Sequence, residues 1–318
     1  MADEIEIDAE PDVHRHHRPG PPPRVGGSSR GERMRFAINL PNTGPYADVL
    51  AMADLARIAE AGGWDGLFVW DHVTWLRSDP QPVADPWILL TAVALATERL
   101  RVGTMVTPVA RRRPTKLARE TVTLDRVSGG RLTLGVGLGS PIDDEFAAVG
   151  EPSDPKLLAK RLDEGLDVLA AAWSGRPVSF HGTTQHVDGV TFLPRPVQRP
   201  RIPVWVGGTW PKRAPVRRAL RWDGAVFTYV DESAPGPGWR SPEPDEIAQL
   251  ATLARRERGN ADGFDIVVGG RSLDDAHLLE PLAAAGATWW QESLGPHYGD
   301  WDDVVDRIRL GPPRIAIR

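Results

Sequence analysis

Gly66-Leu67-Phe68-Val69-Trp70-Asp71-His72 stays apolar for five residues and then ends in a carboxylate and an imidazole. A segment apolar at every position has no solvent face, so it reads as a strand of a parallel sheet covered on both sides. In such sheets ligands and reacting groups gather just past the carboxyl ends of the strands. Asp71 and His72 stand at that end and are the candidate catalytic pair, with Asp71 expected to orient His72.

Outward from this run, strands and helices alternate. Residues 35–40 form a first strand, stopped by Pro41-Asn42-Thr43-Gly44-Pro45, and residues 48–61 carry Ala, Leu and Ile at helical spacing. Residues 86–96 are the next helix, with Asp85 as N-cap and Pro86 at the first helical position. Strands three and four fall at 100–107 and 131–137 around a helix at 115–128. Strands five to eight fall at 202–206, 224–229, 264–268 and 288–292, with helices at 212–220, 244–256 and 274–285. Eight such units predict an α/β fold, an eightfold βα (TIM) barrel with an insertion between strands four and five. A doubly wound open sheet is the rival, but Leu40-Pro41-Asn42 stands where its glycine-rich turn would be.

The insertion holds a helix at 157–173 and a hairpin from 178–182 to 186–190. If it emerges from the catalytic end it forms a lid or a pocket wall; otherwise it is a rigid structural insert. Arg161 and Glu164, three apart on the helix, are expected to pair.

Composition narrows the function. The 318 residues, 41% hydrophobic and 25% charged, suffice for one large core. Residues 1–33, dominated from Pro11 onward by Pro, Gly, Ser, Arg and His without periodicity, read as a disordered tail, and 34–318 as one barrel domain. A net charge of -5 without a basic block argues against nucleic acid and anionic membrane as partners and leaves a small-molecule substrate. The absence of cysteine excludes disulfides, thiol nucleophiles and cysteine-ligated metals. No secretory apolar segment opens the chain and none reaches the roughly 18 residues of a spanning helix, so a cytoplasmic location is expected.

Several strand ends are rich in glycine. Met105-Val106-Thr107 closes strand three, Gly137-Leu138-Gly139-Ser140 closes strand four, and Gly207-Gly208-Thr209 closes strand five. Where no Cβ intervenes, backbone can approach a flat ring or a phosphate, and the Gly207-Gly208 pair ahead of a helix start suits the phosphate. These residues, with Asp71, are the candidate cofactor-binding set. Gly269-Gly270-Arg271 after strand seven reads as a plain turn or a phosphate contact. Among the 12 tryptophans, Trp70, Trp75, Trp205, Trp210 and Trp290 fall near strand ends and are expected to wall an apolar pocket.

Taken in order, Phe36-Ala37-Ile38-Asn39-Leu40-Pro41, Trp70-Asp71-His72, Gly103 to Pro108, Arg131 to Gly139, Glu145-Phe146, Arg161 to Leu166 and Arg199 to Gly208 resemble one family. It comprises the bacterial-luciferase-like flavin monooxygenases and their deazaflavin-dependent relatives, which use coenzyme F-420. The resemblance implies a barrel holding FMN or coenzyme F-420 at its mouth, with His72 moving a proton beside the ring. It also implies a non-prolyl cis peptide at Met105-Val106, a homodimer, and a flavin or deazaflavin reductase as the partner supplying reduced cofactor. Two departures stand out: Leu138 replaces an arginine that meets the FMN phosphate in some flavin members, and Ser140 replaces a glutamate of some deazaflavin members. A non-catalytic flavin-binding barrel and a metal-dependent barrel hydrolase are the alternative classes, the latter disfavoured because no H-x-H pair closes strand one.

Overall fold

The computed structural model describes residues 33–231, 233, 238–259, 263–295 and 298–314. Apart from Arg33, the tail expected over 1–33 lies outside the described residues. Strands and helices follow in the order β1 (Arg35–Leu40), α1 (Val49–Ala61), β2 (Gly66–Val69), α2 (Pro86–Ala96), β3 (Arg101–Pro108), α3 (Pro114–Val127), β4 (Leu132–Gly137), α4 (Ile142–Glu145) and α5 (Pro155–Trp173). The hairpin β5 (Pro177–His181) and β6 (His186–Thr191) comes next, then β7 (Val204–Thr209), α6 (Arg213–Ala219), β8 (Gly224–Val230) and β9 (Trp239–Arg240). The chain finishes with α7 (Pro244–Arg258), β10 (Asp265–Gly270), α8 (Ala276–Ala285), β11 (Trp289–Ser293) and α9 (Trp301–Arg309).

Eight parallel strands close a barrel in the order β1-β2-β3-β4-β7-β8-β10-β11, and β11 pairs back onto β1. The expected eightfold barrel is therefore present, and the continuous apolar runs are its strands: every residue of β2 and of β4 is buried. Strand β2 stops at Val69, so Trp70, Asp71 and His72 lie beyond the ladder rather than in it. Helix starts follow local chemistry. Asp48 accepts from the amides of Leu50 and Ala51, and Asp85 from those of Trp87 and Ile88 with Pro86 at the first helical position.

Inside the barrel, Ala37, Phe68, Trp205, Val267 and Trp289 form a plug, with Phe68 stacked on Trp205 at 5.2 Å and Trp289 edge-on to both. The residue two positions further along each strand faces the same interior, one pleat nearer the mouth.

The insertion departs from one expectation. Helix α5 is one of the ring helices and returns the chain to the amino ends of the strands, so the β5–β6 hairpin that follows it starts from the face opposite the catalytic end. It is pinned to α5: the Glu164 carboxylate accepts from the amides of Thr183, Thr184 and Gln185 and from the Thr184 hydroxyl at 2.7–3.0 Å. Burial pushes the Glu164 pKa up, and these bonds outweigh it and hold the carboxyl down at about 2. Glu164 thus does not pair with Arg161, which faces Glu151 at 3.6 Å instead. The hairpin is a fixed structural element and not a lid. Among the described residues no helix is long and apolar enough to cross a membrane.

Candidate active site

The segment past β2 is held by Asn42, from the turn after β1. Its amide donates to the carbonyl oxygens of His72 at 2.8 Å and Ala84 at 2.7 Å, and its oxygen accepts from the His72 amide at 3.2 Å. His72 is thereby fixed at the carboxyl end of the barrel. Its ring meets Trp70 at 5.6 Å and Trp75 at 5.3 Å, both edge to face.

The imidazole's partner is Glu145, at the end of α4: His72 Nδ1 lies 3.0 Å from its Oε1, and the Val73 amide donates to Oε2 at 3.3 Å. Glu145 is 1% exposed and forms an ion pair with Arg111. Arg111 also donates to the Asp71 carbonyl at 2.7 Å and to its carboxylate at 3.1 Å, while Arg112 grips the same carboxylate with two bonds of 3.0 and 2.7 Å. The expected role of Asp71 as orienter of His72 is therefore corrected. Its carboxylate is turned to two guanidinium groups that follow β3, and it reaches His72 only through space.

Burial lowers the His72 pKa, Arg111 lowers it further, and Asp71 raises it, leaving it at about 4. The imidazole is then neutral at physiological pH. With a carboxylate at 3.0 Å from Nδ1, the single proton sits on Nδ1 and donates to Glu145, and Nε2 keeps its lone pair. This arrangement presents a proton acceptor in an aromatic setting at the barrel mouth.

The floor beside His72 comes from β3. Its register against β4 shifts between Thr104 and Thr107, where Met105 and Val106 bulge and share a cis peptide bond, as the resemblance implies. Thr107 donates to the Thr104 hydroxyl at 2.9 Å, which donates to the Gly135 carbonyl at 3.0 Å. The bulge pushes the Val106 side chain over β4 and β7: a Cβ on Gly137 would stand 2.7 Å from Val106 Cγ2, and one on Gly207 3.1 Å from Cγ1. Two glycines assigned to ligand approach are thus accounted for by a valine. Gly208 is likewise required by the close passage of Pro215 at 2.4 Å, and Gly139, at φ +91°, sits between Phe146 and Pro108.

Gly207 and Gly208 stand at the carboxyl end of β7, and the helix start expected to follow them comes only at Arg213. Both lie inside β7, which runs on to Thr209 paired with β8 (Gly207 to Val226, Gly208 to Phe227, Thr209 to Thr228). Gly269 and Gly270 similarly belong to β10. Leu138 is half-buried, and Ser140 is exposed and precedes a cis proline. Of the tryptophans, only Trp70 and Trp75 stand beside His72. Trp205 belongs to the barrel plug, Trp210 packs on Phe227, and Trp290 points outward and donates to Glu292 at 3.0 Å.

Sequence reasoning missed Asn42, Arg111, Arg112 and the part played by Glu145. The signal for the arginines is the run Arg111-Arg112-Arg113 just past a buried strand, an expensive place for cations unless anions wait there.

With this geometry in hand, known proteins are informative. The chain is 34% identical over 163 residues to an F-420-dependent glucose-6-phosphate dehydrogenase of Nakamurella multipartita, a match covering 50% of this chain and 47% of the relative. It spans about half the length of the curated relatives it matches first. Its fold is shared with coenzyme F-420-dependent tetrahydromethanopterin reductase of Methanopyrus kandleri (TM-score 0.66, 18% identity, covering 88% of this chain and 97% of the other). The same holds for a monooxygenase of Streptomyces bottropensis (TM-score 0.65, 21% identity, covering 87% and 97%). A family model described as luciferase-like monooxygenase matches residues 34–233, the stretch that carries the His72 strand end, the β3 bulge and Glu145, and the chain belongs to that family.

Proposed function

We propose that the protein is a flavin- or deazaflavin-dependent oxidoreductase acting on a small organic substrate, with His72 as the group that moves the proton. The observation that carries this reading is the imidazole past β2, its Nδ1 3.0 Å from the carboxylate of the buried Glu145. The bulge sets the Val106 isopropyl group over two glycines as an apolar platform for a flat ring, and Trp70 and Trp75, stacked at 6.2 Å, add aromatic surface at His72. Met105 and Val106, both part-exposed, would hold the ring from beneath, with Leu138 and Gly139 along its edge. When bound, the ring supplies a centre that accepts or donates a hydride.

In the oxidising direction Nε2 would take the hydroxyl proton of an alcohol substrate while the bound ring supplied the acceptor for its C–H hydride, and Glu145 would face the imidazolium so formed. Arg111 ties Glu145 to Asp71, so that the base, its orienter and the strand end move as one unit. Between coenzyme F-420 and FMN, hydride transfer with the deazaflavin is favoured by the similarity to the Nakamurella dehydrogenase and by Leu138, where some flavin members place a phosphate-binding arginine. Oxygen insertion with reduced FMN is the second reading, favoured by the family match, and it requires a reductase partner. A homodimer is part of the proposal: α2 exposes Ile88 at 59% and Leu95 at 73% along one face.

Titration of the purified chain with FMN and with coenzyme F-420, followed by absorbance and fluorescence quenching, tests the reading. His72→Ala is expected to keep cofactor affinity and lose about 10²–10⁴-fold in turnover. Binding of neither cofactor, or unchanged turnover in the variant, defeats it.

A further inference from the structure

The mouth carries a second polar feature that the His72 chemistry does not use. Ala37, Trp289 and Val267 face the barrel interior, so Asn39, Gln291 and Gly269, each two residues further on, face it one pleat nearer the mouth. Gln291 is 3% exposed, yet its Nε2 has no hydrogen-bond partner in the protein, and neither has the buried Asn39 Oδ1. An unpaired buried donor and an unpaired buried acceptor are each costly, and here they occur on adjacent strands of one cavity. In the β1–β11 ladder Ala37 is level with Gln291 and Asn39 with Ser293, so the two amides are diagonal neighbours. Strand spacing and rise put their Cα atoms about 8 Å apart, a span that one small planar group with a hydrogen bond at each end can bridge.

Gly269 supplies the room. A Cβ on any other glycine of the barrel strands would stand within 3.1 Å of protein atoms, which explains why those positions are glycine. At Gly269 the nearest atoms are the Gln291 carbonyl oxygen at 3.5 Å and the Ser293 hydroxyl at 3.7 Å, φ is not positive, and the residue is exposed although it faces inward. Neither packing nor backbone demands a glycine there: a Cβ would sit in ordinary contact with Gln291 and Ser293, and its absence leaves that one methyl volume beside Gln291 unfilled. The loop after β11 then connects this recess to the catalytic side: a Cβ on Gly295 would touch Trp70 at 3.4 Å, and Trp70 lies edge-on to His72.

We propose that Asn39 and Gln291 form a recognition recess, opened by Gly269, for a neutral amide-type group of the substrate, with its carbonyl oxygen on Gln291 Nε2 and its N–H on Asn39 Oδ1. The proposal deepens the oxidoreductase reading of the same mouth and rests on it for the word substrate. Charged groups are disfavoured because the side chains named at the recess, Asn39, Gln291 and Ser293, are all neutral. Both amides are specificity-determining residues; neither takes part in the proton transfer.

The test titrates 2-pyrrolidone and cyclopentanone, rings that share a carbonyl and differ in N–H against CH2, onto the full chain by ligand-observed NMR. The wild type is expected to bind the lactam about tenfold or more tightly than the ketone. Asn39→Leu should bring the two together, whereas Gln291→Leu should weaken both. Gln291→Leu removes an unpaired donor and leaves the thermal midpoint unchanged or higher, so a marked drop assigns Gln291 a structural role and overturns the proposal. Gly269→Ala should keep the fold and weaken the lactam. A wild type that does not discriminate, or an Asn39→Leu variant that still does, also overturns it. In a parallel arm the affinities for FMN and coenzyme F-420 should be unchanged in both leucine variants; loss there gives the recess to the cofactor's ring edge and overturns the substrate assignment. Lactam discrimination in a chain that binds neither cofactor leaves the recess standing and removes the redox reading alone.

Discussion

Glu145→Gln and Asp71→Asn separate the two carboxylates near His72, because only one of them touches the imidazole. In the wild type the Nδ1–H bond runs to a buried carboxylate at 3.0 Å. A hydrogen bond to a charged partner is worth about 1.5–3 kcal/mol, so the Nδ1–H tautomer should exceed Nε2–H by about 10- to 150-fold. Glu145→Gln keeps an oxygen in place but makes the bond neutral, worth about 0.5–1.5 kcal/mol, and the bias should fall about tenfold. Turnover should change little through tautomer population alone, because a residual bias of about 2- to 13-fold still leaves Nε2 unprotonated in most molecules. Asp71→Asn instead unbalances Arg111 and Arg112, which its carboxylate binds at 2.7–3.1 Å, and should cost about 3–5 kcal/mol of stability while leaving the tautomer unchanged. Long-range ¹⁵N–¹H correlation spectra of histidine-labelled protein read the tautomer directly, with His72→Asn assigning the signal among the 8 histidines. A wild-type Nε2–H tautomer, or an Asp71→Asn variant that shifts the tautomer as far as Glu145→Gln, would refute the assignment of Glu145 as orienter.

Acid sensitivity should follow from the same histidine. Its folded pKa of about 4 lies below the ordinary 6.5, so between those values the unfolded chain takes up a proton that the folded one refuses; stability is full above pH 6.5 and falls by up to about 3 kcal/mol towards pH 4. His72→Asn should flatten that part of a stability–pH curve measured by urea unfolding, and an unchanged curve would count against the depressed pKa. Gly137→Ala should lose about 1–2 kcal/mol, because the new methyl meets Val106 at 2.7 Å, and Val106→Ala should restore most of the loss; absence of coupling in that double-mutant cycle means the platform is not packed as described. Ile88→Glu combined with Leu95→Glu should shift the protein to a monomer in light scattering, and a dimer that persists in the double variant excludes the α2 face as its interface.

The architecture was readable because barrel strands buried on both faces carry a local mark. Gly66 to Val69 are apolar at consecutive positions and Leu132 to Gly137 are so but for Thr133, and the interval between such runs is a helix with its own caps, as Asp48 and Asp85 are. Strand ends were less secure: β7 extends through two glycines and a threonine that composition alone reads as a turn, because ladder pairing with β8 overrides glycine's local freedom. Glycine itself was the main source of misreading. At Gly137, Gly207 and Gly208 the missing Cβ is filled by Val106 or Pro215 from elsewhere in the chain, contacts that only the closed barrel creates, whereas at Gly269 a Cβ would meet its neighbours no closer than 3.5 Å.

The same reasoning explains why His72 was visible and its tuning was not. A polar pair after an apolar run is a feature of seven consecutive residues, but the groups that set the chemistry of that pair come from 30 to 73 positions away: Asn42 holding the backbone, Arg111 and Arg112 drawing Asp71 aside, and Glu145 on the ring. Adjacency in sequence argued for Asp71 as the partner. Past a strand end, however, neighbouring side chains diverge, and a buried carboxylate beside two buried guanidinium groups is claimed by them, since leaving either cation unpaired would cost more than the imidazole contact returns. That competition releases His72 to a second carboxylate, Glu145 at the end of α4, in the interruption of the βα repeat between β4 and β7. The barrel thus determines where a proton acceptor stands, and the departure from the barrel determines which nitrogen of it is free.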